Sequence, residues 1–207
     1  MALIREGILY EAIISLLDDL GKPYATPSGF WKSNGRILVK FYKGFKTHEL
    51  LVTVKNPVLN IVRDPLLYYR TAFKAESSGL TPEDYVVDEV NGRVFLRNAE
   101  AYLLLDLIRT VDYGKYSLFE YDLREIRVNP HIHLVLEPYS RCYSSLIEMI
   151  IYATKIRARS QLSTTELETA LRSIEYSYNV AVKTCMDSAY MDLANTIRKV
   201  VEDWLGK

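Results

Sequence analysis

The sequence predicts an α+β protein that is mainly β: a closed or split β-barrel followed by a C-terminal helical subdomain of about three helices. Over residues 1–130, apolar side chains alternate in short runs joined by hairpin signals, which is typical of antiparallel strands. A barrel is the economical arrangement because it leaves few open edges. From Arg141 onward, apolar residues recur every three or four positions, the period of helices. We therefore divide the chain into domains at residues 1–130 and 131–207.

The first three strands follow from alternation and turn residues. Residues 4–17 alternate as a long strand. Residues 23–31 follow as an extended segment, and its two prolines confine it to an edge or a bulged position because proline cannot donate to a ladder. The pair Asn34 and Gly35 is a strong hairpin signal into the third strand.

Later in the barrel domain the signals are a helix cap and two hairpins. Asp64 suits an N-cap and Pro65 the first helical position. A hairpin turns at Asn91 and Gly92, and two long strands follow at residues 99–112 and 116–128. The apolar phase slips within the second long strand, which predicts a bulge near Arg124. In the helical subdomain, Ser163 and Glu166 form the pattern of a capping box.

Composition excludes several classes of partner. The 207 residues include 26 basic and 26 acidic side chains, so no overall field attracts nucleic acid or an anionic membrane. Neither a signal peptide nor a spanning apolar segment is recognised, and we expect a cytoplasmic protein. Cys142 and Cys185 fit no metal or redox spacing, so both thiols are expected to be reduced.

The most informative stretch is a cationic turn that precedes a short apolar helix and a further strand. Lys43, Lys46 and Thr47 crowd the predicted start of the helix. Lysines are unfavourable there unless an anion binds among them, because the N-terminus carries free N–H groups and positive dipole charge. A phosphate site and a solvated basic turn both fit this spacing. A P-loop is excluded, because Val39 stands where that motif needs glycine.

Other chemistries lack their residues. His131 and His133 would point to one side of an extended segment, but a third ligand is missing, so we expect no metal. The sequence contains neither G-x-S-x-G nor G-x-G-x-x-G, the motifs of hydrolase nucleophiles and dinucleotide sites. The pattern therefore indicates no catalytic dyad or triad.

The order of short segments resembles the archaeal FMN-binding split-barrel proteins, a family formerly of unknown function that is related to flavin reductases and flavoredoxins. The resemblance is carried by residues 6–11, 21–29, 46–50, 60–65, 139–142, 146–148 and 153–155. Such proteins have an asparagine-arginine pair that opens a helix. Here Ser140 replaces that asparagine before Arg141, and Lys155 replaces a usual arginine.

The resemblance implies a homodimer that binds one FMN per subunit at or near the dimer interface. By position, Lys46 and Thr47 would hold the phosphate with Lys43 nearby. The other implied cofactor-binding residues are Thr26, Pro27 and Ser28 beside the isoalloxazine, Asn60 in the strand after the helix, and Arg141 at the phosphate or the interface.

Three hypotheses follow. The first is an FMN-binding redox protein, a flavin reductase or flavoredoxin-like carrier, with NAD(P)H or a reduced electron-carrier protein as donor. The flavin would carry the redox chemistry, so no catalytic dyad is needed. The second is a non-catalytic dimeric flavin-binding module with a sensor or structural role. The third is a related barrel that holds another phosphorylated ring, such as pyridoxal phosphate.

Overall fold

The computed structural model describes residues 4–129 and 138–206. The chain divides into two compact units. The first comprises Met1–Glu6 and Tyr10–Tyr139, and the second comprises Gly7–Leu9 and Ser140–Lys207. The predicted domain boundary between residues 130 and 131 falls outside the described residues and stays a prediction.

Six antiparallel strands close into a barrel in the order β1-β2-β3-β8-β7-β4, and β5 and β6 form a separate hairpin. The strands are β1 Leu9–Leu17, β2 Pro23–Ser33, β3 Arg36–Tyr42, β4 Val58–Ile61, β5 Tyr85–Asp88, β6 Arg93–Leu96, β7 Ala101–Asp112 and β8 Tyr116–Val128. This barrel and the helices of the second unit confirm the predicted α+β, mainly β class.

The predicted β2–β3 hairpin is confirmed. Asn34 and Gly35 have φ angles of 51° and 76°, as the tight turn requires. The β2–β3 ladder begins at Phe30, which pairs with Val39, so the two prolines of β2 precede this ladder. Lost donors at the prolines therefore do not interrupt the ladder with β3.

The predicted bulge in β8 is also confirmed. Leu104 pairs with Glu125, whereas the next residue of β7, Leu105, pairs with Leu123, so Arg124 is left without a partner in the register. The bulge changes which residues of β8 face inward, and this explains the phase slip in the sequence.

Three short helices belong to the first unit: α1 Lys46–Thr53, α2 Pro65–Ala72 and α3 Lys74–Ser77. The Asp64 carboxylate accepts a hydrogen bond from the main-chain N–H of Leu66 at 2.9 Å, which confirms the predicted cap of α2. Helix α2 packs against β2, and α3 continues the chain from there. This packing places the α2–α3 segment beside β2.

The second unit contains the three predicted helices: α4 Arg141–Arg157, α5 Thr164–Thr184 and α6 Ser188–Leu205. The capping box at the start of α5 is confirmed, because Ser163 and Glu166 bond reciprocally. The helices enclose their own apolar cluster, which includes Met149 and Ile156. Over residues 4–129 and 138–206, no helix has the length and apolar character needed to span a membrane.

The prediction of two reduced thiols is wrong. Cys142 and Cys185 form a disulfide, with their Cα atoms 4.9 Å apart. Cys142 lies in the first turn of α4 and Cys185 caps the C-terminus of α5, so the antiparallel packing of the two helices brings them together. The pair is separated by 43 residues, and that spacing contains no signal for pairing.

Candidate functional site

The N-terminus of α1 lies directly after β3 and has no side-chain cap. Gly44 has a φ of 85°, which turns the chain out of the strand, and Phe45 occupies the N-cap position. The first main-chain hydrogen bond of the helix runs from the N–H of His48 to the carbonyl of Phe45, at 2.9 Å. Within the described chain, the N–H groups of Lys46 and Thr47 are left for a ligand or for water. An anion at this helix end would satisfy them.

Thr47 joins this helix end to β2. Its side chain is buried, and its hydroxyl lies 3.1 Å from the phenol oxygen of Tyr24. The hydrogen bond fixes the hydroxyl beside the open N–H groups of the helix. This bond connects α1 to β2 through Tyr24, which is not among the residues implied by the resemblance.

Both predicted lysines have carboxylate partners. The ammonium of Lys43 donates to Asp112 at 2.6 Å, and that of Lys46 donates to Asp18 at 3.2 Å. The pKa of Asp18 is lowered, first by a hydrogen bond from the N–H of Lys22 and also by the charge of Lys46. The pKa of Asp112 is lowered chiefly by the hydrogen bond from Lys43. Both carboxylates are therefore ionised at neutral pH.

A third lysine, Lys74 at the start of α3, also contacts Tyr24. The ammonium of Lys74 lies 3.8 Å from the ring centroid of Tyr24, and that of Lys46 lies 5.0 Å from the same centroid. Two cations therefore converge on the tyrosine that holds Thr47. Lys74 could not be predicted at this site, because it is 27 residues beyond Thr47 and no local pattern links the two.

His48, also at this helix end, belongs to the interior. Its Nε2 lies 2.9 Å from the hydroxyl of Ser117, and its ring packs edge-on against Phe119. Only 8% of the residue is exposed. His48 therefore anchors α1 to β8.

Asn60 is fully buried where β1 and β4 of the barrel meet β6 of the separate hairpin. Its amide nitrogen donates to the carbonyl of Ile13 and to the hydroxyl of Ser15, each at 2.8 Å. Its oxygen accepts a hydrogen bond from the N–H of Leu96, also at 2.8 Å. The amide thus ties β1, β4 and β6 together and has no donor left over, so we leave Asn60 out of the proposed ligand set.

The remaining predicted residues lie in both units. Thr26 and Pro27 are half-buried on β2, and Ser28 is buried with its hydroxyl donating to the carbonyl of Gly29 at 3.2 Å. They follow Tyr24 on the same strand. Arg141 is exposed at the first residue of α4, in the second unit, and its implied role stays a prediction.

The described residues form no metal cluster, and two open surface pockets lie away from the predicted site residues. The described residues contain no group of three metal-ligating side chains, and His131 and His133 lie outside the described residues. A cavity of about 350 Å³ is lined by residues including Phe95 and Tyr102, and another of about 360 Å³ lies beside Tyr152 in the second unit. None of the predicted site residues lines either one.

Comparison with known proteins places this geometry in a family. The family model described as "Protein of unknown function (DUF447) N-terminal domain" matches residues 10–131. An FMN-bound protein from Methanosarcina mazei, assigned to the same family, has 25% identity and a TM-score of 0.55. That match covers 96% of this chain and 97% of the other.

Two flavin reductases share the fold alone. The reductase of the styrene monooxygenase of Pseudomonas putida S12 has 16% identity and a TM-score of 0.50, covering 58% of this chain and 82% of its own. The flavin reductase HpaC, solved with NADP⁺, also has 16% identity and a TM-score of 0.50, covering 67% and 94%. No curated protein sequence matches the chain.

Proposed function

Because the chain belongs to the family described as "Protein of unknown function (DUF447) N-terminal domain", we propose that it binds FMN and transfers hydride or electrons through it. The FMN-bound protein of Methanosarcina mazei supports the proposal, since it matches this chain over nearly the full length of both. Flavin reductases and flavoredoxin-like carriers are the classes of activity that we infer.

The N-terminus of α1 is the observation that carries the proposal. It combines the open N–H groups of Lys46 and Thr47 with a buried hydroxyl that Tyr24 holds in place. A phosphate monoester needs such donors, and helix N-termini supply them together with positive dipole charge. These residues fit the phosphate of FMN, and the ammonium groups of Lys46 and Lys43, each paired with a carboxylate, offer further N–H donors.

The ring of FMN would lie along β2 in this proposal. Thr26 and Pro27 offer half-buried surface, and Gly29 has no side chain to keep a flat ring from the main chain. Bound FMN supplies the hydride or electron chemistry. The residues of β2 would position the ring and exclude water from one side of it.

The proposal also includes the electron donor of the flavin and the oligomeric state. We infer NAD(P)H or a reduced electron-carrier protein as donor, and a homodimer as the working form. HpaC, which shares the fold, was solved with NADP⁺. A non-catalytic flavin-binding module is the alternative, and it would bind FMN without accepting electrons from either class of donor.

The visible absorption spectrum of the purified protein tests the proposal. We expect flavin absorption, either as isolated or after incubation with FMN followed by desalting. Anaerobic NADH or NADPH, or a reduced carrier, should then bleach it. Protein that stays colourless after incubation with FMN would overturn flavin binding, and an absorption band of pyridoxal phosphate would point to the other phosphorylated ring. Bound flavin that no donor bleaches would favour the non-catalytic module.

A further inference from the structure

The lysines around α1 differ in whether a carboxylate already holds them. Lys43 is bonded to Asp112 and Lys46 to Asp18. Each of these ammonium groups keeps N–H donors for a phosphate, but the carboxylate beside it offsets its charge and repels a second anion. The ion pairs also leave little net charge at the two lysines named by the sequence pattern.

Lys74 is in a different position. No ion pair to it exists in the described part of the chain, and its ammonium lies over the face of Tyr24. A contact with a ring face leaves the N–H donors of an ammonium able to bind an oxygen anion. Lys74 therefore supplies a cation that a phosphate can approach without repulsion from a carboxylate paired with it.

Tyr24 connects this cation to the helix end. Its hydroxyl bonds Thr47 at the start of α1, and its ring carries Lys74 on α3. Tyr24 therefore connects Lys74 to Thr47, the residue at the start of α1. Segments that are far apart in sequence thus meet at one side chain.

We propose that Lys74 binds the phosphate group of the flavin, together with the N-terminus of α1, and that this contact makes the site prefer FMN to riboflavin. The inference rests on the proposed function, since it concerns the same ligand. It assigns a phosphate-binding residue from outside the strand-turn-helix segment that the sequence pattern identified.

Binding of two flavins to matched variants tests the proposal. Lys74→Met keeps an unbranched side chain over the ring of Tyr24 but removes the charge. Titrations followed by flavin fluorescence should show about tenfold weaker binding of FMN to this variant, and riboflavin binding within about twofold of wild type. Lys74→Arg should retain the preference for FMN. Lys40→Met is the control, because Lys40 also lies over tyrosine rings, those of Tyr42 and Tyr116.

The outcomes separate this inference from the proposed function. If wild type prefers FMN and Lys74→Met keeps the same ratio of FMN to riboflavin affinity, the assignment of Lys74 is wrong while flavin binding stands. If wild type binds neither flavin, both proposals are overturned. Lys74→Ala provides a second uncharged variant should the methionine variant fold poorly, as judged by circular dichroism.

Discussion

The carboxylate of Asp18, on the turn between β1 and β2, lies 3.2 Å from the ammonium of Lys46 at the start of α1. Asp18 also accepts hydrogen bonds from the main-chain N–H groups of Leu20 and Lys22, so the turn itself holds the carboxylate in place. A fixed negative charge therefore lies beside Lys46, close to the position proposed for the phosphate.

Removing that anion should strengthen FMN binding. In Asp18→Asn, the oxygen that caps the turn can remain, while the negative charge beside the phosphate is lost. We expect FMN affinity to rise about threefold to tenfold and riboflavin affinity to stay unchanged, measured by fluorescence titration. Asp19→Asn is the matched control, because Asp19 is the neighbouring exposed carboxylate of the same turn. Equal effects of the two substitutions would mean that Asp18 acts only through general surface charge.

The protein should lose stability at acid pH as carboxylates with a lowered pKa become protonated. The pKa of Asp112 is lowered first by its bond from Lys43, and that of Asp88 first by its bond from Asn91. Carboxylates whose pKa is lower in the folded than in the unfolded state stabilise the fold above about pH 4 and lose this contribution as the pH falls through the folded pKa. Urea unfolding at about pH 6 and pH 3 should show a smaller loss of free energy for Asp112→Asn than for wild type. An identical loss in both proteins would mean that ionised Asp112 does not stabilise the fold.

Asn60 should matter for folding rather than for the ligand. Asn60→Ala removes the donors to Ile13 and Ser15 and leaves the buried N–H of Leu96 without its acceptor. We expect a loss of about 3 kcal/mol in the free energy of unfolding by urea, with the FMN affinity of the folded protein unchanged. Asn91→Ala, at an exposed turn, should cost less than about 1 kcal/mol. Weakened FMN binding without loss of stability would place Asn60 in the site after all.

The disulfide should stabilise the second unit. It closes a loop across 43 residues between Cys142 and Cys185, which corresponds to about 4 kcal/mol in the chain-entropy model. Protein purified without reductant should contain no free thiol when denatured, and the Cys142→Ser/Cys185→Ser variant should unfold at lower urea concentration. Two free thiols per chain in the denatured, unreduced protein would contradict the bond.

Local signals predicted most of the fold because each acts over a few residues. The Asn34-Gly35 turn, the Asp64 cap and the Ser163–Glu166 capping box depend on neighbours in the sequence, and the structure confirms all three. The bulge at Arg124 was visible for the same reason, as a slip in alternation.

Contacts between segments that are distant in sequence could not be predicted from local patterns. The disulfide depends on how α4 packs against α5, and the position of Lys74 depends on how the α2–α3 segment returns to β2. The sequence predicted a helix start among Lys43, Lys46 and Thr47, and α1 begins at Lys46, but no pattern indicated the partners Asp18 and Asp112. Charge counted along a chain does not reveal which charges are paired in the fold.

Titration of wild type and the Lys46→Ala/Thr47→Ala variant with FMN and with riboflavin tests the central claim most directly. The claim is that the start of α1 binds the phosphate of the flavin. We predict that wild type prefers FMN, and that the double substitution weakens FMN binding by about 2 to 4 kcal/mol while barely changing riboflavin binding. Equal affinity of wild type for the two flavins, or an unchanged FMN affinity in the variant, would contradict it.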